Sequence, residues 1–278
     1  MNVIKHRKIF YAISAILLAI SLFAIFRYGL RLGIDFKGGS IIEAEYAKTP
    51  EVEVIKENLE KLNLGEFSVR PTGERGVIVR IKELNQIEQG TVAAALAQGQ
   101  EGTEIKRFDS VGPILGAELR KKAFGSIIAV LAAIILFITF AFRKVSKPVA
   151  SWKYGVIAII ALLHDVIIPT GVFAFLGHFS GVELDALFVT ALLVVLGFSI
   201  HDTIVVFDRT RENLRINEEK KLNKPFETIV GESVSQTFTR SINTSLTTII
   251  ALVVLYIIGP EATQNFVLAL LIGMVAGT

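Results

Sequence analysis

The chain has 278 residues, 52% of them hydrophobic and only 20% charged, with a mean hydropathy of +0.56 and a formal charge of +3. Soluble domains average about 45–50% apolar and about 25% charged, so an ordinary soluble enzyme is excluded. The absence of cysteine removes disulfides, thiolate metal sites and Cys nucleophiles. The four histidines (His6, His164, His178, His201) show no metal-ligand spacing. No metal, no cofactor and no nucleic-acid partner are expected.

The excess of apolar residues falls in runs of roughly 17–25 residues, the length that crosses a bilayer core of about 30 Å. The first, Ile9–Phe26, follows Lys5, Arg7 and Lys8 and ends at Arg27. Signal peptides carry an apolar stretch of about 7–15 residues closed by small residues; this run is longer and lacks that closure, so it reads as a retained anchor. Further runs are Ala123–Phe142, Tyr154–Leu176, Asp185–Phe207 and, less sharply, Thr239–Ile258. A sixth, from Gln264, extends about 15 residues, or roughly 22 Å as a helix. It is read as an incomplete span.

Lys and Arg in short loops set orientation. The N-terminus, the 143–153 loop (Arg143, Lys144, Lys147, Lys153) and the 208–238 loop (Arg209, Arg211, Arg215, Lys220, Lys221, Lys224) fall on one side if the helices alternate. The opposite loops, 177–184 and 259–263, hold neither residue type. The N-terminus is therefore expected in the cytoplasm and the long segment after the first span outside. The organisation reads as 1–30 (N-terminus and first span), 31–120 (external domain) and 121–278 (spans two to six).

The external domain reads as a compact α+β unit. Ser40–Tyr46 alternates as a half-buried strand. Thr49 and Pro50 predict a helix start, with an apolar stripe at Val52, Ile55, Leu59 and Leu62. Glu66–Arg70 and Gly76–Ile81 read as strands about a Pro71-Thr72-Gly73 turn. Leu59 and Ile78 are expected in one core. A second helix over Gln86–Ala97 and a strand over Thr103–Asp109 complete β-α-β-β-α-β, the split ferredoxin-like order. The run Gly33-x4-Gly38-Gly39-Ser40 has Gly where a phosphate loop needs Lys, so that reading is discarded. Glycines at 33, 38 and 39 admit φ > 0, and with Asp35 they are read as shaping a turn.

A charge at the centre of a membrane helix costs about 2.5–3.5 kcal/mol on insertion scales, so each one demands a reason. Asp165 lies in the third run and Asp202 near the end of the fourth. Arg240 opens the fifth beside Ser241, Asn243, Thr244 and Ser245. Counted from the run boundaries, Asp202 and Arg240 sit at matching depth and are expected to meet.

At these residues the chain resembles the SecD/SecF family of protein-translocase subunits. The motifs are Gly33-Ile34-Asp35-Phe36-Lys37-Gly38-Gly39, Val111-Gly112-Pro113, His164-Asp165, Gly197–Thr203 running into Phe207–Asn213, and Thr239–Ser245, in order from the first span to Thr278. One departure is His201, where family members commonly carry Asn.

The resemblance implies an α-helical polytopic protein of six transmembrane helices, paired with SecD in a twelve-helix unit of the bacterial inner membrane. It implies relation to the resistance–nodulation–division transporters and use of the proton gradient to help a translocating polypeptide through SecYEG, in contact with membrane lipid. It places the proton pathway at Asp202, Arg240 and Asp165, with His201, Thr203, Asn243 and Thr244 as secondary candidates.

Structural readings stand beside these: Asp202 pinning helices, Arg240 snorkelling to the interface, Asp165 bonding a neighbour's hydroxyl, His164 packing, His201 a neutral substitute for Asn. Half of a proton-coupled small-molecule exporter is the alternative function; its usual larger external domains argue against it. An intramembrane aspartyl protease needs two carboxyls sharing a proton. Asp165 and Asp202 lie at different depths, so no enzyme activity is expected.

Overall fold

In hydrocarbon no water satisfies the peptide groups, so an apolar run must close its hydrogen bonds within itself as helix. The computed structural model describes residues 6–100, 102–141 and 151–278. Five of its helices are long and apolar enough to cross a membrane: α1 (Arg7–Tyr28), α5 (Pro113–Ala141), α6 (Ser151–Phe179), α7 (Ala186–Glu219) and α8 (Phe226–Ile258). A shorter apolar helix, α9 (Glu261–Gly277), follows. The chain divides into two compact units, 1–31 with 125–278 and 32–124.

The helical unit is held by close backbone approach. A Cβ on Gly171 of α6 would lie 2.4 Å from the Cα of Ser21 on α1, and one on Gly273 of α9 would lie 2.5 Å from a methyl of Val195 on α7. Lipid tails are as apolar as leucine, so helices in a membrane gain from such small-residue crossings rather than from hydrophobic exclusion. One apolar cluster joins α5, α6 and α7 through Ile138, Tyr154, Ala158, Leu162, Leu196 and Ile200. Pro169 sits inside α6 and removes the N–H that would bond the carbonyl of residue 165.

The 208–238 segment is not a loop. Helix α7 runs unbroken to Glu219 and α8 begins at Phe226, well before Thr239, so only 220–225 turns the chain. Polar residues hid this continuation from an apolar count. They support helix by ion pairs one turn apart: Arg211 with Asp208, Arg209 with Glu212 at 2.5 Å, and Arg215 with Glu219 at 3.3 Å. Residues 143–150 of the other basic loop lie outside the described residues.

The second unit contains β1 (Gly39–Glu45), α3 (Val52–Glu60), β2 (Phe67–Thr72), β3 (Gly76–Ile81), α4 (Gln86–Ala97) and β4 (Glu104–Val111), after a short α2 (Ile34–Lys37). The sheet is antiparallel in the order β2-β3-β1-β4, the ferredoxin-like arrangement. Its core is Ile42, Val77, Val79, Ile55, Leu59 and Leu96, all 1% exposed or less.

Three local expectations change. Helix α3 starts at Val52 with Glu51 as its N-cap and no side-chain cap, so Thr49 and Pro50 precede it. Pro71 and Thr72 belong to β2, paired with Val77 and Gly76; β2 is an edge strand, where a missing N–H costs no ladder bond. Ile78 is half-buried on the opposite face of the sheet from Val77 and Val79, because one residue along a strand reverses the face.

Candidate functional site

Two polar clusters lie among the membrane-spanning helices. The first joins α6 to α7. Asp165 is 4% exposed, and its Oδ2 accepts a hydrogen bond from the hydroxyl of buried Ser199. Its Oδ1 lies 2.8 Å from Nδ1 of His164. A Cβ on Gly277 of α9 would approach Oδ2 to 3.2 Å, so the third helix closes on the carboxylate through backbone alone. The carboxylate thus holds one donor per oxygen, the condition for keeping such a group in a dry interior. His164 and Ser199 both stand in motifs that carry the family resemblance, where the sequence favours packing over a relay for His164 and gives Ser199 no role of its own.

The second cluster joins α7 to α8. Asp202 is half-buried, and its Oδ2 accepts from Ser245 Oγ at 3.5 Å. Further along, Arg209 Nε donates to Gln236 Oε1 at 2.6 Å and Asn213 Nδ2 donates to Ser233 Oγ at 2.8 Å. These pairings run in antiparallel register and set Arg240 level with Val206, about one turn from Asp202. The side chain of Arg240 is exposed, and among the described residues no ion pair joins it to Asp202. The expected pairing does not form, although the two lie within about one turn of each other, because Arg240 is turned to an exposed face. Five positions separate Arg240 from Ser245, which turns it about 140° to another face.

The secondary candidates divide between the clusters. Thr203 is half-buried and donates to the carbonyl of Ser199 at 3.3 Å. Thr244 donates to the carbonyl of Arg240 at 2.9 Å, and Thr247 and Thr248 donate to the carbonyl of Thr244. These hydroxyls satisfy themselves on their own helix, so a polar stretch can lie in the membrane without a partner helix. His201 and Asn243 are exposed. Asp165 and Asp202 belong to separate clusters, bonded to Ser199 and Ser245 respectively.

The glycine motif proves to be a backbone crossing. Gly38 and Gly39 take φ of 80° and 126°, whereas Gly33 is extended at −73°. A Cβ on Gly38 would lie 2.7 Å from Pro113 Cα, one on Gly39 would lie 2.9 Å from the Ile81 carbonyl, and one on Gly116 would lie 2.8 Å from Gly38 N. Asp35 lies half-buried in α2, whose Phe36 is buried. The motif knots the two ends of the 32–124 unit together.

Residues 91–278 match the family described as protein export membrane protein SecD/SecF, C-terminal, and residues 23–50 match the SecD/SecF GG motif. The chain belongs to the SecD/SecF family. It is 41% identical, over all of its length and 89% of the relative's, to a protein translocase subunit SecF of Thermobaculum terrenum. A subunit of the same name from Anaerolinea thermophila is 37% identical with the same coverage. The crystal structure of SecDF from Thermus thermophilus, described as a translocon-associated membrane protein, superposes on the whole chain with a TM-score of 0.84 at 29% identity. This chain spans 36% of the length of that one. A SecDF structure in a super-membrane-facing form matches with a TM-score of 0.64 at 30% identity.

Proposed function

We propose that this family member is a non-enzymatic accessory subunit of bacterial protein export, acting in the inner membrane as the partner of SecD. The observation that carries this is the superposition of the whole chain on just over a third of SecDF. The remainder of that larger chain is what a separate SecD would supply. SecYEG and the emerging polypeptide are the further partners. The Lys/Arg asymmetry supports a cytoplasmic N-terminus and a periplasmic 32–124 unit.

The energy source is the proton gradient, and the intramembrane carboxyls Asp202 and Asp165 are its carriers. A carrier must cycle between charged and neutral forms, and two carboxyls placed where charge is costly meet that condition. Arg240, about one turn from Asp202, attracts the charged form only. Neutralising Asp202 removes that attraction and shifts the packing of α7 against α8. Movement of the helices then changes how the periplasmic unit holds the polypeptide against backsliding.

Copurification in mild detergent tests the partnership: SecD and SecYEG are expected to accompany the chain. Asp202→Asn is expected to abolish gradient-dependent export while SecD still copurifies, and Asp202→Glu to retain part of it. Export at the unsubstituted rate in both Asp202→Asn and Asp165→Asn, across a range of external pH, overturns the carrier assignment.

A further inference from the structure

The polar continuations of α7 and α8 end in the turn at 220–225. Glu227, in the first turn of α8, lies about 18 Å along a helix from Thr239, where the apolar run begins. A hairpin standing straight out would carry it clear of the bilayer. Instead its Oε1 lies 3.0 Å from Nη1 of Arg7, which starts α1 and stands two positions before the apolar run Ile9–Phe26. The turn is therefore within side-chain reach of the level at which α1 enters the bilayer.

This turn is built rather than loose. Lys221 and Asn223 take φ of 48° and 50°, a region that a lysine seldom enters. Asn217 holds it there: its carbonyl accepts from the Leu222 N–H and its Oδ1 from the Lys224 N–H, each at 3.0 Å. Leu222 is left 48% exposed and Phe226 40%. Lys220 and Lys221 are exposed, as is Lys8, the neighbour of Arg7 on α1. Among the described residues these three lysines take part in no ion pair. The acidic residues around them are mostly engaged, Glu219 with Arg215, Glu227 with Arg7 and Glu232 with Lys224. Glu218 is what remains to oppose the lysines.

Unpaired lysines around exposed apolar side chains, at the level of a bilayer surface, suit the headgroup region of an anionic leaflet. Leucine and phenylalanine gain from the acyl boundary, and ammonium groups gain from phosphate. Holding the turn in one conformation beforehand lowers the ordering cost of docking. We propose that the 220–226 turn, together with Lys8, docks on anionic phospholipid headgroups of the leaflet on the N-terminal side of α1. Lys8, Lys220 and Lys221 pair with the phosphates, while Leu222 and Phe226 enter among the upper acyl chains. Because the turn joins α7 to α8, this contact anchors the hairpin that carries Asp202 and Arg240 without touching either. The inference does not depend on the reading of Asp202 or Asp165 as proton carriers.

The chain contains no cysteine, so Leu222→Cys gives a single labelling site for an environment-sensitive fluorophore. The labelled full chain is reconstituted in vesicles of phosphatidylcholine alone or with added phosphatidylglycerol, and quenching by lipids brominated near the headgroup is measured. Quenching is expected to be strong at low salt with phosphatidylglycerol and several-fold weaker in phosphatidylcholine alone. Each lysine near an anionic surface strengthens attachment about fivefold, so the paired change Lys220→Gln and Lys221→Gln is expected to bring quenching down to the phosphatidylcholine level. At about 1 M salt, where the screening length falls to about 3 Å, the otherwise unsubstituted chain is expected to behave likewise. Equal quenching with and without phosphatidylglycerol, or no change in the lysine variant, overturns the proposal, since the turn then meets the bilayer without reading its charge. A label left unquenched in phosphatidylglycerol vesicles also overturns it. If co-reconstituted SecD then shields that label from iodide, the surface belongs to a protein partner instead.

Discussion

The two units bury opposite things. In the 32–124 unit Ile42, Ile55, Leu59, Val77, Val79 and Leu96 are sealed inside. Among the described residues of β1–β4 and α2–α4, Ile87 is the one large apolar side chain left well exposed. In the helical unit Phe23, Phe26, Ile157, Ile257 and Ile258 face outward, and Asp165, Ser199 and Ser245 lie inside. Water drives the first arrangement through the free energy of removing apolar surface. Lipid offers no such drive, so the second depends on backbone proximity and hydrogen bonds between helices. A substitution that is severe in one unit is therefore expected to be mild in the other.

The largest expected effect is a core deletion in the water-facing unit. Leu59→Ala is expected to destabilise it by about 2–5 kcal/mol in urea melts of the 32–124 fragment. Ile78→Ala, on the half-buried outer face, is expected to cost well under half as much. Equal losses at both positions would show that the sheet register is wrong. The membrane counterpart, Phe23→Ala, removes a larger side chain that is 62% exposed on α1, and is expected to leave the detergent melting temperature nearly unchanged.

The reverse substitution sharpens the contrast. Gly171→Ala places a methyl against the Ser21 backbone and is expected to cost about 1–3 kcal/mol, as overpacking does, read as a fall in detergent melting temperature. Gly90→Ala in the other unit meets nothing within 4 Å in the middle of α4, and is expected to be neutral or slightly stabilising. A neutral Gly171→Ala would mean that α1 and α6 do not cross there.

The smallest effect concerns a cap. Asn85 Oδ1 accepts from the backbone of Ile87 and Glu88, while Glu88 returns a bond to the Asn85 N–H. Asn85→Ala is expected to cost about 0.5–2 kcal/mol. The Glu88 carboxyl is held below its ordinary value of 4.5, first by the Asn85 N–H and then by Lys82. A depressed acid stabilises the fold above its unfolded value and loses that contribution as pH falls through the folded one. Stability of the fragment is therefore expected to decline as pH drops below about 4.5, and Glu88→Gln to flatten that decline. An unchanged acid profile in Glu88→Gln would remove the capping box as its source.

Much of this was legible because it is periodic. Alternation in Ser40–Tyr46, the stripe Val52-Ile55-Leu59-Leu62 and the charge-free runs each state a face or a span, and the β-α-β-β-α-β order followed. What failed was boundary and phase. Pro71 reads as a turn residue until its strand is known to be an edge, and Ile78 reads as core until Val77 and Val79 claim that face. Residues 208–219 read as loop because the apolar pattern stops, although ion pairs carry the helix on.

The sequence by itself determined the class of molecule, the number of apolar runs, the type of the intervening unit, the family and the identity of the costly intramembrane charges. Each rests on a local quantity, such as run length, period or the placing of a charge in an apolar run. Only the tertiary structure decided which polar groups meet. Asp165 found Ser199 and His164, and Asp202 found Ser245 rather than Arg240. Such pairings depend on the register between helices, and register depends on where each helix begins and which glycines let backbones touch. A shift of a few residues moves a side chain by a full turn, about 5.4 Å, which is enough to separate a pair that matching depth alone would join.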